Sequence, residues 1–194
     1  MDIQNRIKDI NSSLELGKFA VLDNNKNDGK SYLFLDPVEF VSAVDKSDVE
    51  RNLDYIQVKA KSSRLHAVGF FSYELGYVFN EKIQSQIPQD RKAPLFNVGL
   101  FRVRLEVSNS ELDSLLEMNS KEDSYVLSQQ LNMTKKEYLD GLNKVKKHIF
   151  DGDTYQVNYT LKYKFKHGGS PFDLYQKLRE SQCVEFGAFW IFPI

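Results

Sequence analysis

The sequence lacks most of the features by which composition alone reveals a functional class. It has a single cysteine, Cys183, in 194 residues, so neither an intrachain disulfide nor a cysteine-based zinc site is possible. The 26 basic and 27 acidic residues nearly cancel, which gives no electrostatic argument for binding nucleic acid. No apolar run approaches the roughly 18 residues of a membrane span, and the amino terminus has no secretory apolar run. We expect a cytoplasmic protein that binds neither nucleic acid nor membrane.

Signatures of catalysis are also scarce. The three histidines, His66, His148 and His167, have no partner at a metal-ligand spacing such as His-x-x-x-His. The sequence contains neither a Gly-x-Ser-x-Gly elbow nor a phosphate loop. Local motifs therefore assign no catalytic group.

The stretch 134–165 carries the strongest structural signals. Thr134-Lys-Lys-Glu137 is a capping-box sequence, and the apolar residues after it recur at intervals of three or four, which predicts an amphipathic helix. These residues are Tyr138, Leu142, Val145 and Ile149. Asp151-Gly152-Asp153 should end the helix.

Residues 155–165 then alternate strictly between apolar and polar side chains. The alternation predicts a long β-strand that runs through a large sheet. Gln156, Asn158 and Thr160 would share its polar face, about 7 Å apart. These three residues are candidates for contact with a polar ligand, although such a row can also face water or an adjoining helix.

The remaining patterns predict a mixed α+β chain. Residues 2–16 have helical periodicity, 18–23 and 31–35 predict a hairpin, and Pro37 should open a short helix to Val44. A helix is predicted over 48–60, strands over 66–71 and 95–107, and a polar hairpin or mobile link over 109–123. Ser170-Pro171 should begin a helix with Leu174, Tyr175 and Leu178 inward, followed by an apolar strand over 186–192.

Four blocks of the sequence resemble one family, in the family's order. Residues 152–160, Gly-Asp-Thr-Tyr-Gln-Val-Asn-Tyr-Thr, resemble the entry motif of the chorismate-binding domain of anthranilate synthase, isochorismate synthase and aminodeoxychorismate synthase component I. The Tyr-Gln-Val-Asn form is most similar to the aminodeoxychorismate synthase branch. The blocks at 69–77, 94–101 and 171–188 resemble further segments of the same family.

The resemblance implies a fold and a reaction. The fold would be an α/β sandwich of antiparallel sheets with outer helices, present here as an incomplete anthranilate synthase component I-like fold. Residues 1–131 would form an amino-terminal sheet and helix region, and 132–194 the start of a truncated chorismate-binding domain. The family aminates chorismate to 4-amino-4-deoxychorismate on the way to 4-aminobenzoate and folate, assisted by Mg²⁺, with ammonia from a glutamine amidotransferase subunit. Its catalytic and Mg²⁺-binding residues lie downstream of the entry motif, so none is assigned in this chain.

Some members of this family bind tryptophan. By position, the resemblance would place that effector pocket at Asp23, Asn24, Lys30, Phe186 and Gly187. Serine is usual where Asn24 stands, and a Pro-Phe-Ser-type triplet is usual at 185–187, so the differences weigh against tryptophan.

The sequence leaves two hypotheses about the function of the chain open. In the first, the chain is an inactive amino-terminal part of an aminodeoxychorismate synthase component I. In the second, it is a non-catalytic small-molecule-binding or regulatory module of the same fold. The anthranilate synthase branch is a variant of the first hypothesis. The apolar run at 186–192 fits either a central terminal strand or a longer protein.

Overall fold

The computed structural model describes residues 10–11, 18–26 and 29–192. The predicted helix over 2–16 lies outside the described residues apart from Ile10 and Asn11, which are helical. The described residues form two compact units. The first contains those up to Met118 together with those from Tyr175 onward, and the second is Asn119–Leu174. The proposed boundary at residue 131 stays a prediction.

The first unit is built on a five-stranded antiparallel sheet in the order β3-β4-β2-β1-β7. Its strands are β1 (Phe19–Asp23), β2 (Lys30–Ala43), β3 (His66–Phe71), β4 (Phe96–Ser108) and β7 (Gly187–Ile191). The predicted hairpin is confirmed as β1 and β2. The predicted helix over 37–44 is wrong, because β2 continues to Ala43 and takes up Pro37 at a register shift between Pro37 and Glu39. A bulge tolerates a proline, since the ladder is already interrupted there.

Between β2 and residue 120, the described chain forms three α-helices that belong to the first unit. They are α1 (Val49–Ser63), the single turn α2 (Leu75–Val78) and α3 (Asn109–Asn119), whose last residue already lies in the second unit. The expected link over 109–123 is wrong, because α3 buries Leu112, Leu115 and Leu116. A capping box opens it: the Glu111 amide donates to Ser108 Oγ at 3.3 Å, and the Ser108 amide donates to Glu111 Oε2 at 2.8 Å. The Ser-x-x-Glu signature was therefore present in the sequence.

The sheet has a hydrophobic core on each face. One cluster packs α1 and α2 on the sheet through Val49, Ile56, Leu75, Phe96 and Leu100. The other is aromatic and is built around buried Phe34 and Phe101, with Phe40, Trp190 and Phe192 partly buried against them. The rings of Phe70 in β3 and Trp190 in β7 stack with centroids 6.0 Å apart. Because these strands lie at opposite edges, the sheet must curl strongly around the aromatic cluster.

The second unit contains β5 (Tyr125–Leu131), α4 (Lys135–Phe150) and β6 (Tyr163–Gly168), with β5 and β6 paired antiparallel. The boundary between the two units falls within α5 (Pro171–Ser181). The predicted capping box is confirmed: Thr134 Oγ1 accepts from the Glu137 amide at 3.2 Å, and Glu137 Oε2 accepts from the Thr134 amide at 2.7 Å. None of the residues of α4 is buried.

The predicted long strand over 155–165 is wrong. Only its end belongs to β6, and residues 155–162 have no regular secondary structure. An alternating segment becomes a strand only where a neighbour supplies backbone hydrogen bonds and a core covers its apolar face. Among the described residues, Tyr159 instead stacks on Tyr138 of α4 at 5.4 Å. A Cβ at Gly141 would lie 2.0 Å from the Tyr159 hydroxyl, so a glycine makes room for that ring.

Candidate functional site: a buried carboxylate and guanidinium

The first unit contains a buried ion pair between a strand and a helix far apart in sequence. Asp23 is the last residue of β1, where Phe19, Val21 and Asp23 are buried while Leu22 between them is exposed. Alternate side chains of a strand lie on the same face, so the Asp23 carboxylate shares the buried face with Phe19 and Val21. The Asp23 and Arg179 side chains are only 1% and 6% exposed.

Arg179 holds Asp23 through two hydrogen bonds. Its Nε donates to Asp23 Oδ2 at 2.6 Å, and Nη2 donates to Oδ1 at 3.3 Å. This two-point contact uses the planar fork of the guanidinium. Both charged groups are desolvated, which costs free energy. The pair is stable only because the remaining hydrogen-bonding atoms of both groups also have partners.

Two hydroxyl groups complete the environment of the carboxylate. Ser31 Oγ donates to Asp23 Oδ1 at 2.7 Å, and the Tyr175 hydroxyl donates to Oδ2 at 2.9 Å. Together with Arg179, they give four donors, about as many as a carboxylate can accept. The carboxylate of Asp23 is therefore saturated by the protein itself.

The far side of the guanidinium is anchored to α3. Arg179 Nη1 donates to the Asp113 carboxylate, and Nη2 donates to Asn109 Oδ1 at 3.3 Å. The loop after β1 is also bonded to α5, because Asn25 Nδ2 donates to the Arg179 carbonyl at 2.7 Å. Arg179 thus ties β1, α3 and α5 together within the first unit.

An aromatic stack covers the cluster. The ring of Tyr175 lies 4.8 Å from that of Phe189 at an interplanar angle of 14°, and Phe189 contacts Phe19 edge-on at 5.7 Å. Gly187 pairs with Asp23 across β1 and β7. A Cβ there would lie 3.2 Å from the Tyr175 hydroxyl and 3.3 Å from the Asp23 Cβ, so a side chain would crowd the site.

The structure assembles part of the predicted effector pocket. Asp23 and Gly187 are register partners, and the amide of Asn24 donates to Ser31 Oγ at 3.2 Å. Lys30 instead pairs with Glu106 at 2.7 Å at the surface, and Phe186 is 90% exposed.

Sequence reasoning missed the arginine that organises this site. It placed Leu178 inward, but Leu178 is 51% exposed and Arg179 occupies the buried position. The inward position of Tyr175 is confirmed by its contacts with Asp23 and Phe189. The available signal was the spacing, since Tyr175 and Arg179 are four residues apart and lie on one face of a helix.

The other predicted ligand residues lie in the second unit. Gln156, Asn158 and Thr160 are exposed and belong to the segment without regular strand structure. They do not share the face of a strand, and their role in binding stays a prediction. Among the described residues, no group of three or more His, Cys, Asp or Glu side chains is arranged to hold a metal ion. Within the same part of the chain, no helix is long and apolar enough to cross a membrane.

Tyr175→Phe should make unfolding less sensitive to alkaline pH. Burial raises the pKa of the Tyr175 phenol, and the Asp23 carboxylate raises it further. The contribution of the neutral phenol to stability is therefore complete below the ordinary pKa of about 10 and is lost as the pH rises toward the raised pKa. Thermal melting should show a steeper fall in Tm above about pH 10 for the wild type than for Tyr175→Phe. Tyr73→Phe, at a residue that is 83% exposed, should follow the wild type. Parallel pH profiles for wild type and Tyr175→Phe would contradict the assignment.

The chain is similar in sequence to proteins of known function. The chain matches the family model described as chorismate binding enzyme over residues 17–193. It is 27% identical over 140 residues to aminodeoxychorismate synthase component 1 of Escherichia coli (strain K12), covering 63% of this chain and 31% of that protein. The protein of the same name from Salmonella typhimurium is 26% identical, with the same coverage. The chain thus spans about a third of the length of the curated relatives it matches.

Proposed function

Because the chain belongs to the chorismate binding enzyme family, we propose that it is the amino-terminal part of an aminodeoxychorismate synthase component 1. That enzyme would replace the 4-hydroxyl of chorismate with an amine. The product, 4-amino-4-deoxychorismate, leads to 4-aminobenzoate and folate. The observation that carries this proposal is the family match over residues 17–193. The two relatives, both aminodeoxychorismate synthase component 1, and the Tyr-Gln-Val-Asn sequence of residues 155–158 favour this branch.

The exposed apolar surface of the second unit supports the proposal that this chain is part of a longer enzyme. Helix α4 buries none of its residues, and large apolar side chains in α4 and in the segments after it are exposed. The most exposed are Phe150 at 91% and Tyr155 at 93%, with Tyr163 at 51% and Phe165 at 47%. Apolar surface of this extent usually meets another protein surface. We infer that the remaining length of such an enzyme covers it.

The chemistry of amination explains why the 194-residue chain should be inactive by itself. The reaction needs groups that hold the substrate carboxylates, an acid for the departing hydroxyl and a base at the ring. The resemblance places these groups, and the Mg²⁺ ligands, downstream of the entry motif. Among the described residues, no three His, Cys, Asp or Glu side chains are grouped to hold a metal ion, and no metal-dependent step is assigned to them. Its own contribution would be structural, through the curled sheet and the Asp23–Arg179 cluster.

The proposal predicts where activity resides. The 194-residue chain should not aminate chorismate, whereas the chain extended by its own downstream coding sequence should do so with Mg²⁺ and ammonium. Chromatography of the products should identify 4-amino-4-deoxychorismate. Addition of a glutamine amidotransferase subunit should allow glutamine to replace ammonium, since that partner would supply the ammonia. Formation of anthranilate or isochorismate by the extended protein would contradict the assigned branch.

A second function is compatible with the first unit, whose buried ion-pair network is complete within this chain. The chain would then be a non-catalytic small-molecule-binding or regulatory module, with its pocket at Asp23, Asn24, Lys30, Phe186 and Gly187. Because four donors already saturate Asp23, the ammonium group of tryptophan could bind this carboxylate only by displacing one of them. Calorimetric titration of the 194-residue chain with tryptophan tests this alternative. Saturable binding, together with an extended protein that leaves chorismate unchanged, would favour the module over the enzyme.

A further inference from the structure

A positively charged pocket lies at the carboxyl end of α1. It has a volume of about 360 Å³ and is lined by residues of α1, β2, β4 and the segment that follows α1. Val38 and Leu65 provide apolar wall, and Ser63 provides a hydroxyl. The charged residues of the lining are Lys59, Arg64 and Arg102. The lining thus combines cationic groups with a small apolar surface.

Two of the three cations in this pocket, Lys59 and Arg64, are not balanced by a carboxylate of the described residues. Within the part of the chain that the structure describes, no carboxylate belongs to the lining. Arg102 pairs with Asp36 outside it, at 3.3 Å, and both side chains are more than half exposed. Among the described residues, Lys59 and Arg64 have no ion-pair partner. Cations that share a small pocket repel each other, and a bound anion would relieve that repulsion.

The backbone around the pocket has unfavourable conformations at two positions. The non-glycine residues with positive φ in the described chain are Asp36 (54°), Arg64 (53°) and Ser128 (53°). Arg64 lines the pocket, and Asp36 contacts the pocket residue Arg102. Such conformations cost energy and are concentrated at ligand sites.

The position of Arg64 is informative about its role. Arg64 ends α1 in the left-handed conformation, and its amide donates to the carbonyls of Ala60 and Lys61. Glycine is the residue that makes this ending at least cost. An arginine at this ending costs backbone stability relative to glycine, and its side chain lies in the lining of the pocket.

The β-bulge in β2 shapes the opposite wall. The register of β2 against β4 shifts between Pro37 and Glu39, and Val38 lies at the shift. Bulges redirect side chains and are frequent next to binding sites. Here Val38, the residue at the shift, is part of the lining of the pocket.

We propose that this pocket binds a small molecule with a phosphate or carboxylate group on a short apolar body. The Arg64 guanidinium and the Lys59 ammonium bind the anionic group, because both are charged donors whose side chains have no acceptor among the described residues. Val38 and Leu65 pack against the apolar body. The proposal does not depend on chorismate chemistry and concerns only the first unit.

The test uses the 194-residue chain and three probes: inorganic phosphate, phenyl phosphate and benzoate. Amide chemical shifts in an NMR titration at low ionic strength report both the affinity and the location. For the better of the two aromatic probes we expect a Kd of about 1 mM or tighter, with shifts at residues 59–65. Arg64→Gly removes the guanidinium and keeps the left-handed helix ending, so it should fold at least as well and bind at least tenfold more weakly. Arg51→Gln removes an exposed arginine of the same helix and should leave the affinity unchanged.

The relative affinities of the probes identify the class of ligand, and the variants test whether this pocket binds it. Tighter binding of phenyl phosphate than of benzoate assigns a phosphate ligand, and the reverse order assigns a carboxylate. Asp36→Gly removes the neighbouring carboxylate and should tighten binding in either case. The absence of saturable shifts, or equal affinity in wild type and Arg64→Gly, would overturn the proposal. Lys59→Gln provides the same test if Arg64→Gly does not fold.

Discussion

Arg179→Met should destabilise the first unit by about 3–5 kcal/mol, because it leaves the Asp23 carboxylate buried without its charged partner. The substitution keeps most of the aliphatic volume and removes the two hydrogen bonds to Asp23 and those to Asp113 and Asn109. Trp190 is the only tryptophan and lies in β7, next to the strand that carries Asp23. Urea unfolding followed by tryptophan fluorescence therefore measures the stability of this unit.

A matched control distinguishes burial from charge. Arg51 pairs with Asp48 on the surface of α1, and its side chain is 73% exposed. Arg51→Met should stay close to the wild type, because exposed ion pairs contribute little. The double variant Asp23→Asn/Arg179→Met should recover part of the loss, since no unpaired charge remains. An Arg179→Met protein within about 1 kcal/mol of the wild type would contradict the role of this ion pair.

Gly69→Ala should destabilise the protein by about 3 kcal/mol, at the upper end of the effect of overpacking, because backbone must move. Gly69 in β3 lies opposite Val98 of β4. A Cβ there would lie 2.0 Å from the Asn97 carbonyl oxygen and 2.6 Å from the Val98 Cα. Neither atom belongs to a flexible side chain, so β3 and β4 would have to separate. The loss is measured by the same urea unfolding.

Gly76→Ala is the control from the same sequence block. A Cβ at Gly76 would meet no heavy atom within 4 Å. The residue lies in the helical turn α2, where alanine is favoured over glycine by about 0.5–1 kcal/mol. We expect unchanged or slightly higher stability. Equal losses in both variants would show that the block is sensitive to any substitution and would remove the steric explanation for Gly69.

The sequence by itself determined the elements whose signals are local. The capping box at Thr134 and Glu137 predicted the start of α4, because its partners are three residues apart and form their hydrogen bonds within one turn. The hairpin of β1 and β2 was predicted for a similar reason, since a short polar loop joins two apolar strands. The resemblance in four ordered blocks led to the family that the match over residues 17–193 shows.

Only the tertiary structure decided the features that depend on distant partners. The alternation of residues 155–165 meets the local condition for a strand, but no neighbouring strand pairs with residues 155–162 among the described residues. Conversely, β2 passes through Pro37 because β4 lies beside it for its whole length. The Asp23–Arg179 ion pair joins residues 156 positions apart. The spacing of Arg179 from Tyr175 places it on the inner face of α5. No local feature of Asp23 or Arg179 identifies the other as its partner, since a charge enters the core only where the folded chain supplies that partner.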